Sequence, residues 1–389
     1  MSENGVEQKY IQEAFDSNWV APLGANVDGF EEDLKRFLGG EREVLCLSSG
    51  TAAVHLALLL AGVGPGDEVL VQSFTFCASA NPVIYLGATP VFVDSEKDTW
   101  NMDPDLLEKA IRDRIAVTGK APKAIVPVSL YGMPYQMDRI LAIASKYGIT
   151  VVEDSAESLG SRYRGKNLGT FGRFGVLSFN GNKMITTSGG GALICPDAAM
   201  KKKALCYATQ AREALPFYQH NIVGYNYRLS NICAGIGRGQ MHVLDKNIAH
   251  HKRVQKLYEE LLSGVPGVCV HSQPADGVFD SNYWLCTITL DPSLKIVGQE
   301  KAYAGFPHVQ CEPNANVEAL RVYMDAAGVE VRPVWKPMHL QPVFSAAPSY
   351  VNGVSEAIFR KGMCLPAGPY VSDDDVRYIV DSIKNAIVG

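Results

Sequence analysis

The stretch VLCLSSGTAAVHLALLLAGVGPG, residues 44–66, carries no charged side chain. Its length approaches that of a membrane span. Ser48-Ser49-Gly50-Thr51 cuts it, however, and Gly62-Val63-Gly64-Pro65-Gly66 ends it. The pattern predicts a buried strand at Val44–Leu47, a turn, and a helix from Thr51 to Ala61 that is apolar nearly all round and therefore buried. Short apolar runs continue the theme at Glu68–Val71, Val91–Asp94, Ala124–Val128, Thr150–Glu153 and Gly175–Phe179. Helical patterns separate them near Ala78–Leu86, Pro104–Arg112 and Met137–Tyr147. Such alternation predicts an α/β protein whose mostly parallel sheet lies between layers of helices.

A long helical pattern, Ser230 to Leu262, leads to Gly264-Val265-Pro266-Gly267, where the pattern changes. At 389 residues the chain is long enough for two units. The expected division is a large domain, 1–263, and a smaller C-terminal α/β domain, 264–389. Strands are expected in the latter around Tyr283–Leu290 and Val329–Arg332, with a helix near Val317–Ala326. Ser372 followed by Asp375 forms a capping box for a last helix with an apolar stripe at Val376, Ile379, Val380, Ile383 and Ile387.

Composition excludes several classes. Lys plus Arg number 36 against 41 Asp plus Glu, a net charge of −5, with no run of five like charges, so no nucleic-acid-binding surface is expected. The nine cysteines are scattered without a C-x-x-C pair and read as reduced thiols of a cytoplasmic protein. The N-terminal residues 1–7 lack the basic and apolar regions of an export signal, and no membrane segment is expected. The eight histidines form no metal-ligating constellation, and no G-x-S-x-G elbow suggests a hydrolase. No metal is expected.

Three features carry chemistry. Ser48-Ser49-Gly50-Thr51 leaves a strand and opens a helix, so its amides and the Thr51 hydroxyl suit either a phosphate or an ordinary helix cap. Asp154 ends an apolar strand, the usual position of ligand-facing groups in parallel sheets. Lys183 lies among small and polar residues in Ser178-Phe179-Asn180-Gly181-Asn182-Lys183-Met184, between apolar runs and the triple glycine Gly189-Gly190-Gly191. A lysine is commonly a solvated surface group; in that setting it is a candidate for a desolvated amine that forms a Schiff base. Pyridoxal 5'-phosphate explains all three together, since it needs a lysine for its aldehyde, a carboxylate for its pyridine nitrogen and a helix terminus for its phosphate.

With these residues, and from Ser17-Asn18-Trp19-Val20-Ala21-Pro22-Leu23-Gly24 to Cys364-Leu365-Pro366, the chain resembles the DegT/StrS sugar aminotransferases, enzymes of fold type I that use pyridoxal phosphate. The resemblance implies that Lys183 is the Schiff-base lysine, Asp154 the partner of the pyridine nitrogen, and Gly50, Thr51 and Ser178 the phosphate site. It places Phe76 against the cofactor ring, and Glu157 near the ring oxygen, where many members have Gln or His. It implies that Asn226 reaches the phosphate of a neighbouring subunit, hence a homodimer with shared active sites. Arg228, Arg332, Trp335, Lys336 and His339 fall among substrate-binding positions, with strand-to-loop packing the other reading of Trp335. Tyr283 and Trp284 read as core. Ser188 departs from a Glu common before the paired glycines.

The strings Asn180-Gly181-Asn182-Lys183, Thr209-Gln210-Ala211-Arg212-Glu213 and Arg332-Pro333-Val334-Trp335-Lys336-Pro337-Met338-His339 are similar to the branch that aminates UDP-4-keto-6-deoxy-N-acetylglucosamine on the way to bacillosamine-type sugars. The implied reaction moves the amino group of L-glutamate to the 4-keto group of that nucleotide-linked sugar. The alternatives are a GDP-perosamine synthase and a non-catalytic regulatory protein of the same fold. A dehydratase of this fold carries His where Lys183 stands, and a regulatory protein would be expected to have lost Lys183, Asp154 or Ser178.

Overall fold

Strand, turn and buried helix form where the uncharged stretch predicts them, as the strand Glu43–Leu47 and the helix Gly50–Leu60. Ser49 is extended at the helix N-cap, and its hydroxyl accepts the Ala52 N–H at 3.0 Å. Ala53, Leu56, Ala57 and Leu58 are wholly buried, and the one polar side chain among them, His55, is buried with its Nδ1 3.1 Å from the Tyr227 hydroxyl. This computed structural model describes residues 1–2, 5–305, 307, 309 and 311–388; Glu3 and Asn4 of the N-terminal segment lie outside the described residues.

Eight strands form the main sheet, in the spatial order Glu43–Leu47, Gly191–Cys195, Phe174–Ser178, Thr150–Asp154, Ala124–Val126, Glu68–Gln72, Thr89–Val93 and Ser349–Tyr350. All pairs from Phe174–Ser178 outward are parallel. Gly191–Cys195 is wedged antiparallel between Glu43–Leu47 and Phe174–Ser178. The sheet is thus mostly parallel, as expected, and mixed at one end, where the loop carrying Lys183 folds back as a hairpin rather than crossing over through a helix. The fold is α/β, with helices on both faces of this sheet.

A second, four-stranded antiparallel sheet orders Val268–Val270, Cys286–Leu290, Gly362–Leu365 and Arg332–Pro333. Its core joins Ile288 to Leu320, Ile379 and Ile383, and also to Val254, Tyr258 and Leu262. Packing therefore runs across residue 264 in both directions. Val254, Tyr258 and Leu262, one stripe of the helix Leu244–Leu262, belong to the small core, while Ser349–Tyr350 returns to the edge of the large sheet. The long pattern from Ser230 is two helices, Asn231–Met241 and Leu244–Leu262, broken at Val243. The Ala78–Leu86 pattern is a 3₁₀ turn, Cys77–Ser79, followed by the short helix Asn81–Tyr85. Both bonds of the Ser372–Asp375 capping box are made, and the last helix is Asp373–Ala386. Among the described residues no helix is long and apolar enough to cross a membrane.

Candidate active site

Asp154 ends its strand at the carboxyl edge of the sheet and is buried. Its Oδ2 accepts from Ser79 Oγ at 2.6 Å and its Oδ1 from the Ala156 N–H at 3.2 Å. Burial pushes its pKa up, opposed by these bonds and by the Lys183 charge. Three residues on, Glu157 is equally buried: Oε2 accepts the Tyr131 N–H at 2.7 Å, and Oε1 lies 3.2 Å from Lys183 Nζ. Burial raises the Glu157 pKa too, and the neighbouring lysine is the strongest opposing influence.

Lys183 is carried by the connection between Phe174–Ser178 and Gly191–Cys195. That connection is closed by Phe179 N–H to the Gly190 carbonyl at 2.9 Å and by Thr187 N–H to the Phe179 carbonyl at 3.0 Å. The Lys183 amine sits 3.8 Å from the centroid of the Trp284 ring, and the indole N–H donates to the Asn182 carbonyl at 2.6 Å. Trp284 is buried, as its apolar surroundings in the sequence suggest, but one face of its ring touches the lysine. Apolarity reports burial and is silent on which face is covered by what.

Gly50, Thr51 and Ser178 come together where the Gly50 helix begins beside the end of the strand Phe174–Ser178. A Cβ on Gly50 would lie 3.1 Å from Ser178 Cβ, and one on Gly191 would lie 2.4 Å from Gly50 N. Backbone and hydroxyl are thus packed as closely as glycine allows, around a helix N-terminus whose first amides have no partner within the helix. Phe76, half exposed at 54 %, points its ring into the same space. Gly50, Thr51, Phe76, Asp154, Glu157, Ser178, Lys183, Trp284, Arg332 and Trp335 line one cleft of about 1340 Å³.

Three residues expected to bind substrate lie outside this lining. Arg228 bridges to Leu47 beside the edge strand, its side chain buried, ion-paired with Glu31 and donating to the Cys46 carbonyl at 2.9 Å. His339 lies outside the cleft lining; its Nδ1 is 2.7 Å from Ser73 Oγ, and burial lowers its pKa. Lys336 does not line the cleft either. Asn226, expected to serve a neighbouring subunit rather than this cleft, is exposed on the surface. The Ser73–His339 contact, with the Met338 N–H on the Ser73 carbonyl at 2.7 Å, ties the segment bearing Phe76 and Ser79 to the one bearing Trp335.

Residues 2–384 match the profile of the DegT/DnrJ/EryC1/StrS aminotransferase family. The chain belongs to this family. It is 46 % identical over 382 residues to EpsN of Bacillus subtilis (strain 168), covering 97 % of this chain and 92 % of that one. It is 35 % identical over 383 residues to the GDP-perosamine synthase of Escherichia coli O157:H7, covering 98 % and 96 %. Its fold superposes on the crystal structure of a DegT/DnrJ/EryC1/StrS aminotransferase from Brucella abortus with a TM-score of 0.86 at 29 % identity, covering 98 % and 95 %. The protein is a sugar aminotransferase, and pyridoxal phosphate is its cofactor.

The donor set of this aminotransferase fits that cofactor. The helix N-terminus at Gly50–Thr51 with the Ser178 hydroxyl would hold the phosphate. Asp154, a buried carboxylate already braced by two donors, would face the pyridine nitrogen, and Lys183 the aldehyde. The Phe76 ring would lie along the cofactor's face.

Proposed function

We propose that this aminotransferase moves the amino group of L-glutamate to C4 of a nucleotide-linked 4-keto-6-deoxy sugar, UDP-4-keto-6-deoxy-N-acetylglucosamine, giving a UDP-4-amino-4,6-dideoxy sugar for surface glycan or protein glycosylation. The observation that carries the reading is Lys183 Nζ, poised beside Glu157 and Trp284 in a cleft that also holds the Asp154 carboxylate. When bound, pyridoxal phosphate supplies the electron sink that acidifies the donor's α-hydrogen and the store that keeps the amino group between half-reactions. Lys183 Nζ takes the proton from the donor's α-carbon and, in the second half, returns one to sugar C4. Asp154, held by Ser79 and Ala156, keeps a negative charge at the edge of the sheet to balance a protonated ring nitrogen. Arg332, exposed at the cleft and paired there with Glu330, and Trp335, whose ring lies beside Phe76 and Trp284, suit a diphosphate and a sugar face through charge-assisted hydrogen bonds and stacking. The strings around Lys183, Arg212 and Trp335 support the UDP sugar.

In this reading the enzyme is a cytoplasmic homodimer, with Asn226 of each subunit serving the other's phosphate site. Phe217, Tyr218 and Val223, beside Asn226 in the chain, are at least 61 % exposed and support a covered surface there. A second reading, GDP-4-keto-6-deoxymannose as acceptor, is favoured by the 35 % identity to a GDP-perosamine synthase. A single-turnover assay decides between them. The aminated enzyme is offered each keto sugar separately, and the amino sugar is measured by mass spectrometry. Product from the UDP sugar alone supports the first reading; product from the GDP sugar alone overturns it in favour of the second.

A further inference from the structure

We propose that Trp284 is a positioning residue, whose ring face forms with the Glu157 carboxylate a holding place for the Lys183 amine whenever that amine is not bonded to the cofactor. The inference rests on Lys183 being the reacting lysine, as in the function proposed above. A lysine that serves both half-reactions is released by each incoming amine and must stay within reach, dry and oriented on a flexible four-carbon stem. The structure supplies two walls for it: the Trp284 ring at 3.8 Å, in cation–π geometry, and Glu157 Oε1 at 3.2 Å. Asp154 also acts on the amine through its charge.

Both walls belong to one rigid assembly. The indole N–H on the Asn182 carbonyl fixes the ring to the residue preceding the lysine. The Trp284 N–H donates to Asn282 Oδ1 at 2.9 Å, and Asn282 Nδ2 donates to the Glu157 carbonyl at 2.9 Å, so ring and carboxylate share a brace. Tyr283 between them is in the left-handed region, φ 48°, a conformation uncommon for a bulky residue, and it turns Trp284 inward. The Tyr131 and Trp335 rings, 6.4 and 6.2 Å away, flank the indole.

The test uses cofactor-free protein and a short pulse of acetic anhydride, with acetylation of Lys183 read by mass spectrometry against the exposed Lys97 of the same molecule. Trp284→Leu is expected to acetylate Lys183 ~5-fold faster than wild type, whereas Trp284→Phe, which keeps an aromatic face, stays within about twofold. Glu157→Gln, removing the other wall, is expected to speed it as well. Reconstituted Trp284→Leu should lose kcat with the sugar KM unchanged, a split that general loosening would not give. A wild-type rate at Lys183 in Trp284→Leu, or Phe as fast as Leu, overturns the proposal. Should Trp284→Leu not fold, an unchanged rate in Glu157→Gln does so. Borohydride trapping of pyridoxal phosphate on Lys183 tests the lysine's identity separately, so the two claims fail independently.

Discussion

Gly191→Ala adds one methyl group where the proposed cofactor cradle has no room for it. Gly191 opens its strand paired with Leu47 on one side and Ser178 on the other. A Cβ there would stand 2.4 Å from Gly50 N and from Ser49 C, and 2.6 Å from the Ser49 carbonyl oxygen. All three are backbone atoms at the start of the Gly50 helix, so no side chain can swing aside. Restoring an ordinary contact moves that helix N-terminus by about 1 Å from the strand. Overpacking of this kind costs about 1–3 kcal/mol. A misplacement of ~1 Å in a binding constellation can cost up to ~10²-fold. Because the displaced groups are the proposed phosphate donors, the Kd for pyridoxal phosphate should rise by ~10–100-fold, measured by visible absorbance on titrating cofactor-free protein. Thermal unfolding of the cofactor-free variant reports the structural share of the cost. Gly189→Ala, two residues away with nothing within 4 Å of its Cβ, should bind as wild type. Gly50→Ala, with Ser178 Cβ at 3.1 Å, should be weakened less than Gly191→Ala. A folded Gly191→Ala protein with wild-type cofactor affinity would refute the assignment of the cradle.

Three further outcomes are expected. Asp154→Asn should melt higher than wild type without cofactor at pH 7, because burial raises the native Asp154 pKa and its ionised form costs stability there. The same variant should aminate sugar ~10²-fold or more slowly, and an undiminished rate would sink the electron-sink role. Ser79→Ala removes the 2.6 Å donor on Asp154, a hydrogen bond to a charged group of about 1.5–3 kcal/mol, and should weaken cofactor binding ~10-fold or more while leaving the sugar KM unchanged. Acid should destabilise the fold below pH ~6.5, since burial holds His251 at about 4 and His271, stacked on Trp100 at 3.8 Å, at about 3. Lowered native values mean that the unfolded chain binds more protons, so this stability is full above the unfolded pKa and lost as pH falls. Urea midpoints between pH 7 and 5 should fall less in His271→Phe, and parallel curves would rule the mechanism out.

What the sequence reveals about this enzyme and what it conceals divide along the range of the interactions. Val44–Leu47, Thr150–Glu153 and the helix Met137–Tyr147 are legible because a strand covered on both faces must be a short apolar run and a half-buried helix must repeat every 3.6 residues. Gly191–Cys195 is such a run as well. Its pairing between Glu43–Leu47 and Phe174–Ser178 depends on the Lys183 loop turning back on itself, and local pattern does not encode that. The break at Val243 likewise has no proline or glycine to announce it; there one helix ends on the large unit and the next begins its run into the small core. Site residues follow the same division. The placement of Asp154 and Lys183 in the cleft is readable from their own neighbourhoods, a strand end and a polar loop between apolar walls. The positions of Arg228 and His339 are not, because each is held by a group far along the chain, Glu31 and Ser73, that no local pattern announces. Trp284 is the converse case, a core residue by composition that the left-handed Tyr283 and the Asn282 brace turn toward the Lys183 amine. A cation beside a motif is therefore weak evidence of a ligand contact until its long-range partner is known, whereas an apolar side chain next to a conformational outlier repays a search for what its face touches.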